Sequence, residues 1–233
     1  MIINYNFTFD SGLEKSFLIE LDNNDLEIVS KGSEVLPEWT LLSNYRCPGC
    51  SLNGAEYRYC PIAVNICEII DFFKDRTSYD EVGVTVNTEN RNFYKNTTIQ
   101  NSLSSLLGIY MAASGCPSMA KLKPMVRFHL PFATVEETVF RSAGTYLLGQ
   151  YFISKRGENA DLGLINLARF YEDIQDVNRG IAERIRHVVG KDAVNNAVIC
   201  LDMFAKELPY AIEDEMEDMK FLFKAYWAET SEG

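Results

Sequence analysis

Residues 47–50 read Cys-Pro-Gly-Cys, and a Cys-Pro pair follows at Cys60 and Pro61. Three of the six cysteines of the chain therefore fall within fourteen residues. A Cys-x-x-Cys turn brings two thiols together, so both sulfurs can bind one metal ion or close as a redox disulfide. Residues 31–59 otherwise look irregular, and a loop of this length needs something to hold it. The cysteines therefore predict a loop that is pinned to the rest of the fold.

The composition is that of a globular protein with a substantial core. The chain has 233 residues, of which 47% are hydrophobic and 12% aromatic. Its apolar runs are too short to span a membrane, and residues 1–7 lack the pattern of a signal peptide. We therefore predict a cytoplasmic protein without a membrane partner. Structural disulfides are uncommon in a reducing cytoplasm, so clustered thiols there favour metal binding or catalysis.

The charge argues against a nucleic-acid partner. The formal net charge is −11, and no basic stripe interrupts the acidic character of the chain. A phosphate backbone repels such a surface. The basic cluster at residues 184–187 lies near a predicted helix end, where positive charge favours the helix dipole.

The N-terminal residues alternate between apolar and polar side chains. Tyr5, Phe7 and Phe9 alternate with polar residues, and residues 17–21 repeat this pattern after a turn. Such a period of two predicts half-buried strands. A third strand is predicted at residues 25–29, which gives a small antiparallel meander over residues 3–30. The valines at alternate positions of residues 82–86 predict a further strand.

The rest of the chain is predominantly helical by its periodicity and its capping signals. Pro61 suits the first position of a helix, and Thr97 with Gln100, like Thr134 with Glu137, fits a capping box. Further predicted helices begin at the positions Asp161, Asp192 and just after Pro209. The fold class is therefore α+β: an N-terminal antiparallel β meander, a cysteine-pinned loop and a predominantly α-helical C-terminal half. We expect a single domain over residues 1–233, with an α+β part at 1–95 and a helical part at 96–233.

Four cysteines form a candidate set of metal ligands. Zinc prefers four thiolate or imidazole ligands in a tetrahedron, and Cys47 and Cys50 supply two. Cys60 is the natural third ligand. Cys67 lies seven residues further along a predicted helix, about 10 Å away by helix rise. We prefer Cys116 as the fourth ligand because it lies in a loop after a helix end, and Cys67 remains the alternative.

Other thiol chemistry stays open at this point. An iron–sulfur cluster would use the same thiolates, although the spacing matches no ferredoxin signature. A redox-active Cys-x-x-Cys usually lies at a helix N-terminus in a βαβ unit, which the sequence around residue 47 does not predict. Reduced thiols without a metal are a third option. Cys200 lies on an apolar helix face and is expected to be an ordinary core residue.

His129 is one of only two histidines and stands in the segment Arg-Phe-His-Leu-Pro-Phe at 127–132. A histidine in such a place can bind a metal or act as an acid or base. A lone histidine between apolar residues is more often a hydrogen-bonded structural residue. If the chain is an enzyme, His129 should face a concave site with Arg127 and Arg141 and should have a perturbed pKa.

Residues 111–117 read Met-Ala-Ala-Ser-Gly-Cys-Pro, and residues 127–134 read Arg-Phe-His-Leu-Pro-Phe-Ala-Thr, with Glu-Glu-Thr at 136–138. Here the chain resembles a bacterial family of uncharacterised proteins, in which Cys-x-x-Cys and Cys-Pro precede these two segments. The resemblance covers most of the chain beyond residue 38. It implies that one group contains Cys47, Cys50, Cys60 and Cys116 but not Cys67, and it brings no established activity.

Two functions of different classes follow. The first is a non-enzymatic, metal-bound protein, with structural zinc on four cysteines, whose helices offer a surface for self-association or a protein partner. The alternative is an iron–sulfur or thiol-based redox protein or enzyme with His129 in its active site. The cysteines favour the first, because capping and packing explain the other candidate residues.

Overall fold

A four-stranded antiparallel sheet forms the N-terminal part of the protein in the computed structural model, which describes residues 1–29 and 35–228. Residue 30 of the predicted meander, residues 31–34 of the predicted irregular stretch and residues 229–233 lie outside the described residues. The strand order is β2-β1-β3-β4. The strands are β1 (Ile2–Phe9), β2 (Glu14–Glu20), β3 (Glu81–Thr88) and β4 (Asn92–Thr98).

The alternating N-terminal pattern buries one face of this sheet. Tyr5 and Phe7 of β1 are completely buried, and they pair in register with Val86 and Val84 of β3. The predicted third strand at residues 25–29 is reduced to a single bridge between Leu21 and Ile28. The third long strand of the sheet is instead β3, which pairs with β1 along its length. The N-terminal antiparallel sheet is therefore confirmed, although its strand order differs from that of a simple meander.

Helices cover the buried face of the sheet. They are α1 (Pro61–Asn65), α2 (Cys67–Phe73), α3 (Ile99–Ala112) and α4 (Lys123–Arg127). Phe73 packs edge-on against Phe7, with ring centroids 5.2 Å apart. The expected capping box at Thr97 is not formed. The first N–H groups of α3 instead donate to the backbone carbonyls of Ser78 and Asp80, at 3.0 and 2.9 Å.

The C-terminal half is helical, and the α+β class is confirmed. Its helices are α5 (Val135–Lys155), α6 (Leu167–Ile185), α7 (Ala193–Met219) and α8 (Lys224–Ala228). The predicted capping box of Thr134 and Glu137 starts α5. Helix α6 begins at Leu167 instead of Asp161, because the Asp161 carboxylate holds the preceding turn by accepting the N–H groups of Ile165 and Asn166.

Helix α7 continues through Pro209, where the sequence predicts a break. A proline inside a helix removes one backbone hydrogen bond. Leu208 and Ile212 on either side of it are buried, so packing of both halves offsets that loss.

The described chain divides into two compact units. Unit 1 contains Met1–Phe132 and Asp173–Met203, and unit 2 contains Ala133–Glu172 and residues 204–228. Helices α6 and α7 each run from one unit into the other. The sequence places an internal division at residues 95 and 96 instead, and the expectation of a single domain stays a prediction. No helix within the described residues combines the length and the apolar character that crossing a membrane requires.

Candidate metal centre

The Cys-x-x-Cys turn at residues 47–50 is a tight reversal of the backbone. The N–H of Cys50 donates to the carbonyl of Cys47 at 3.1 Å. Gly49 has a φ of +70°, a left-handed conformation that side chains with a Cβ rarely adopt. The glycine therefore allows the chain to turn between two half-buried cysteines.

Cys60 and Cys116 occupy matching local structures. Each caps the start of a short helix and is followed by proline, with ψ angles of 121° at Cys60 and 122° at Cys116. Proline suits the first helical position because its missing N–H would have no partner there. The buried Cys60 also donates its N–H to the carbonyl of Thr40 at 2.8 Å, which ties α1 to the loop before residue 47.

The structure brings these four cysteines together, and we call them the thiol cluster (Cys47, Cys50, Cys60 and Cys116). The pKa of the Cys47 thiol is raised to about 12, first by burial and then by the nearby charges of Cys60, Cys116 and Cys50. Burial also raises the pKa of Cys116, with Cys60 and Cys50 adding to the effect. Thiols from three separate segments therefore lie within electrostatic reach of one another.

The sulfur of Cys116 receives hydrogen bonds from the backbone. The N–H groups of Met119 and Ser118 point at it, and they lower its pKa against the effect of burial. Hydrogen bonds of this kind favour the charged thiolate over the neutral thiol. They would also orient the sulfur as a metal ligand.

Arg184 of α6 fixes the loop that precedes the Cys-x-x-Cys turn. Its guanidinium is buried and donates to the carbonyls of Trp39 at 2.9 Å, Leu41 at 2.7 Å and Tyr45. The same positive charge lowers the pKa of Cys47. No carboxylate within the described parts of the chain forms an ion pair with it. A buried cation surrounded by neutral carbonyls thus lies close to Cys47, whose thiol becomes an anion on deprotonation.

Helix α6 also lies close to the Cys-x-x-Cys turn at Gly180. A Cβ placed on Gly180 would overlap the Sγ atom of Cys47 and would lie 3.3 Å from a ring carbon of Tyr45. Gly180 and Arg184 are one turn apart and therefore share a helix face. Neither residue is predicted from the sequence, in which Arg184 is explained by the favourable interaction of positive charge with a helix dipole. The available signal was a glycine within a helix followed four residues later by an arginine.

The other two cysteines lie outside the thiol cluster. Cys67 donates its S–H to the carbonyl of Ala63 at 3.2 Å, and its pKa is raised to about 11 by burial and by Asp71. Burial alone raises the pKa of Cys200. Neither thiol is influenced by another cysteine, so Cys116 and not Cys67 is the neighbour of the other three.

The donor set fits zinc, which four cysteines can bind as a tetrahedron. The sulfur positions do not by themselves form a coordination shell. Within residues 1–29 and 35–228, no three His, Cys, Asp or Glu side chains are arranged to hold one ion. The cluster is therefore a group of neighbouring thiols that has to converge further to coordinate a metal.

His129 occupies a different environment. Its Nε2 lies 2.6 Å from the hydroxyl of Tyr5, which is also 2.8 Å from the Oγ of Ser105. Burial raises the pKa of Tyr5 well above its ordinary value, so the phenol stays protonated. One cleft in unit 1, of about 660 Å³, is lined by residues that include Trp39, Cys67 and Tyr110, and His129 is not among them.

Three comparisons bear on identity. A family model described as a domain of unknown function (DUF6901) matches residues 3–224, which is nearly the whole chain. No curated protein and no solved structure matches the chain.

Proposed function

Because this chain belongs to the DUF6901 family, whose function is unknown, we propose its role from the thiol cluster. We propose that Cys47, Cys50, Cys60 and Cys116 bind one structural zinc ion. The protein then acts as an interaction or self-assembly module without catalytic activity. We place it in the cytoplasm, where thiols stay reduced and available to a metal.

The proximity of the four thiols carries this proposal. They come from one tight turn and from two Cys-Pro helix starts. Cys60 and Cys116 are 56 residues apart in the sequence. Neighbouring thiols raise the pKa of Cys47 and Cys116, so these thiols stay protonated unless a positive charge lies nearby. Zinc supplies that counter-charge, because it displaces the protons and binds the sulfurs as thiolates.

The buried guanidinium of Arg184 also supports the proposal of a zinc site. A zinc ion with four thiolate ligands carries a net charge of −2, which is costly to bury alone. Arg184 offers one positive charge on the side of Cys47. Its hydrogen bonds to the carbonyls of residues 39, 41 and 45 keep the charge in place. The arginine therefore offsets part of the charge that the metal centre would introduce.

A structural role follows from the number of ligands. Four thiolates complete the tetrahedron of zinc and leave no position for a water molecule or a substrate. The ion would join the loop before Cys50, the start of α1 and the turn after α3. Metal binding of this type contributes directly to the free energy of folding.

The iron–sulfur alternative uses the same four sulfurs and is separated from zinc by its absorption. The test is metal analysis with an optical spectrum on the full chain purified without oxygen. We expect about one zinc per chain and no visible absorption. Iron with a visible charge-transfer band would show that the four cysteines bind an iron–sulfur cluster instead of zinc. A metal-free protein with all six thiols titratable would overturn both.

A further inference from the structure

The outer face of α5 is apolar although it is exposed. Phe140 is 53% exposed, Leu148 57%, Tyr151 50% and Phe152 59%. Gly144 lies between the first two, and a Cβ placed there would meet no atom within 4 Å. Spacings of three and four residues put these five positions on one side of a helix. We call this surface the α5 outer face (Phe140, Gly144, Leu148, Tyr151 and Phe152).

The two ends of this face carry opposite charges. Glu137 is exposed in the first turn of α5, and Lys155 is exposed in the last. The ammonium of Lys155 lies over the ring of Tyr151, with 5.4 Å between Nζ and the ring centroid, which is within the limit of about 6 Å for a cation–π contact. An apolar centre is therefore flanked by Glu137 at one end, with the half-buried Arg141 one turn away, and by Lys155 at the other.

We propose that the α5 outer face docks against the same face of a second copy of this chain, with the two helices antiparallel. In this arrangement Glu137 of each copy lies opposite Lys155 of the other. Phe140 lies opposite Phe152, and Leu148 of one copy fills the space above Gly144 of the other. A two-fold axis near the middle of the helix relates all of these pairs.

The charge pattern favours a second copy of this chain as the partner of the α5 outer face. An antiparallel pair of identical α5 helices matches unlike charges at both ends, whereas a parallel pair would place Glu137 against Glu137 and Lys155 against Lys155. Juxtaposed like charges oppose association. The face is thus complementary to itself in one orientation only, which is the property of a symmetric homodimer interface.

The exposed area is sufficient for a weak dimer. Half-exposed aromatic and leucine side chains contribute about 100 Å² each, so the face offers roughly 400 Å² of apolar surface per copy. Two copies would bury roughly 800 Å² of such surface, to which the charged ends add. Specific interfaces begin near about 1,000 Å² in total, so the charged ends have to supply the remaining area, and we expect a weak dimer.

The inference rests on the self-assembly part of the proposed function and names its surface and partner. It does not depend on the metal, because all residues of the α5 outer face lie in unit 2 and the thiol cluster lies in unit 1. Zinc content therefore tests the metal proposal separately in every variant.

The first experiment compares two leucine variants of the full chain by analytical ultracentrifugation over a concentration series. We expect the unmodified chain to dimerise and Leu148→Glu to be monomeric at the same concentrations. Leu162→Glu is the matched control, since Leu162 is 67% exposed in unit 2 but lies outside α5. A monomeric unmodified chain, or equal effects of both substitutions, would overturn the proposal.

The second experiment tests the antiparallel pairing by exchanging charges. Lys155→Glu and Glu137→Lys should each weaken self-association about tenfold, because like charges then face each other at both ends. An equimolar mixture of the two variants should regain the dimer, since every end again pairs a lysine with a glutamate. If the mixture stays as weak as the separate variants, the antiparallel arrangement is wrong. Thermal unfolding of each variant checks the helix, because Glu137 also belongs to the capping box.

Discussion

Cys47 is the residue at which three distant parts of unit 1 meet. Its sulfur lies against Gly180, its pKa responds to the charge of Arg184, and three other cysteines raise that pKa further. No other cysteine in the described residues combines these influences. The cluster is therefore sensitive to single substitutions whose effects differ by position.

At the residue scale, Cys60→Ser should remove zinc and lower the free energy of unfolding by about 3 kcal/mol or more, because three ligands hold the ion poorly. Cys67→Ser is the matched control. A serine hydroxyl can keep the hydrogen bond to Ala63, so this variant should retain zinc and change stability by less than about 1 kcal/mol. Metal analysis and urea unfolding measure both variants. Equal zinc loss in the two would contradict the assignment of ligands.

A second residue-scale prediction concerns the buried guanidinium. Arg184→Met should lower the free energy of unfolding by about 3 kcal/mol, because three backbone carbonyls lose their donor in a buried place. Arg186→Met is the control, since Arg186 is exposed and pairs only with Glu183 at 3.6 Å. That surface pair is worth less than about 1 kcal/mol. Similar urea midpoints for the two variants would show that the buried arginine does not hold the loop.

At the scale of an element, α6 is the helix that closes over the Cys-x-x-Cys turn. Within unit 1, one face of it presents Gly180 and Arg184 to the loop around Cys47. Gly180 leaves space for the Cys47 sulfur, and Arg184 donates hydrogen bonds to the loop carbonyls. Each of these functions requires the helix backbone to stay at its present distance from Cys47. The packing of α6 and the position of the first cysteine are therefore coupled.

Gly180→Ala tests that coupling. The added methyl overlaps the sulfur of Cys47, so we expect a loss of about 2 kcal/mol in stability and a lower zinc content. Gly108→Ala in α3 is the control, because its Cβ would meet only Leu201, at 3.9 Å. Alanine there should leave the zinc content unchanged and stabilise the helix by about 0.5–1 kcal/mol. If Gly108→Ala lowers the unfolding temperature more than Gly180→Ala does, the close approach of Gly180 to the Cys47 sulfur is wrong.

The elements that the sequence predicts well are those whose signal is local. The alternation around Tyr5 and Phe7 and the capping box of Thr134 depend on neighbours within a few residues. Strand β4 at Asn92–Thr98 was missed because its side chains are mainly polar, and only its pairing with β3 makes it a strand. The start of α3 was misplaced because distant carbonyls cap it.

The residues of the candidate site also differ in whether the sequence signal for them is local. Residue type and spacing indicate Cys47, Cys50 and Cys60, whereas the sequence favours Cys116 as the fourth thiol and leaves Cys67 as the alternative. Gly180 and Arg184 could not be chosen from the sequence, since their partners lie more than a hundred residues earlier in the chain. A glycine in a helix followed four residues later by an arginine is a weak signal, and it does not identify the residues that the two contact in the fold.

At the scale of the whole molecule, buried tyrosines in both units make stability depend on alkaline pH. The pKa values of Tyr110 and Tyr171 are raised to about 12, mainly by burial, and that of Tyr5 is raised further. A phenol with a raised folded pKa holds its proton more tightly in the folded state. Its contribution to stability is complete below the unfolded pKa of about 10 and is lost as the pH rises through the folded value.

We therefore expect the free energy of unfolding to fall between about pH 10 and 12, as measured by urea unfolding at successive pH values. Tyr5→Phe should make this fall shallower, because one titrating group is removed. Tyr79→Phe should leave it unchanged, since Tyr79 is 71% exposed. A slope that is equal in Tyr5→Phe and the unmodified chain would show that the burial of Tyr5 does not govern the alkaline transition.

The position of α6 in the chain has a consequence for synthesis on the ribosome. The last thiol of the cluster, Cys116, is translated 68 residues before Arg184. At about 5–20 residues per second, roughly 3 to 14 seconds separate these two events. During that interval the nascent chain already carries all four thiols, while the helix that later packs on Cys47 does not yet exist. If zinc binds as we propose, all four of its ligands are thus translated before α6 can pack on Cys47.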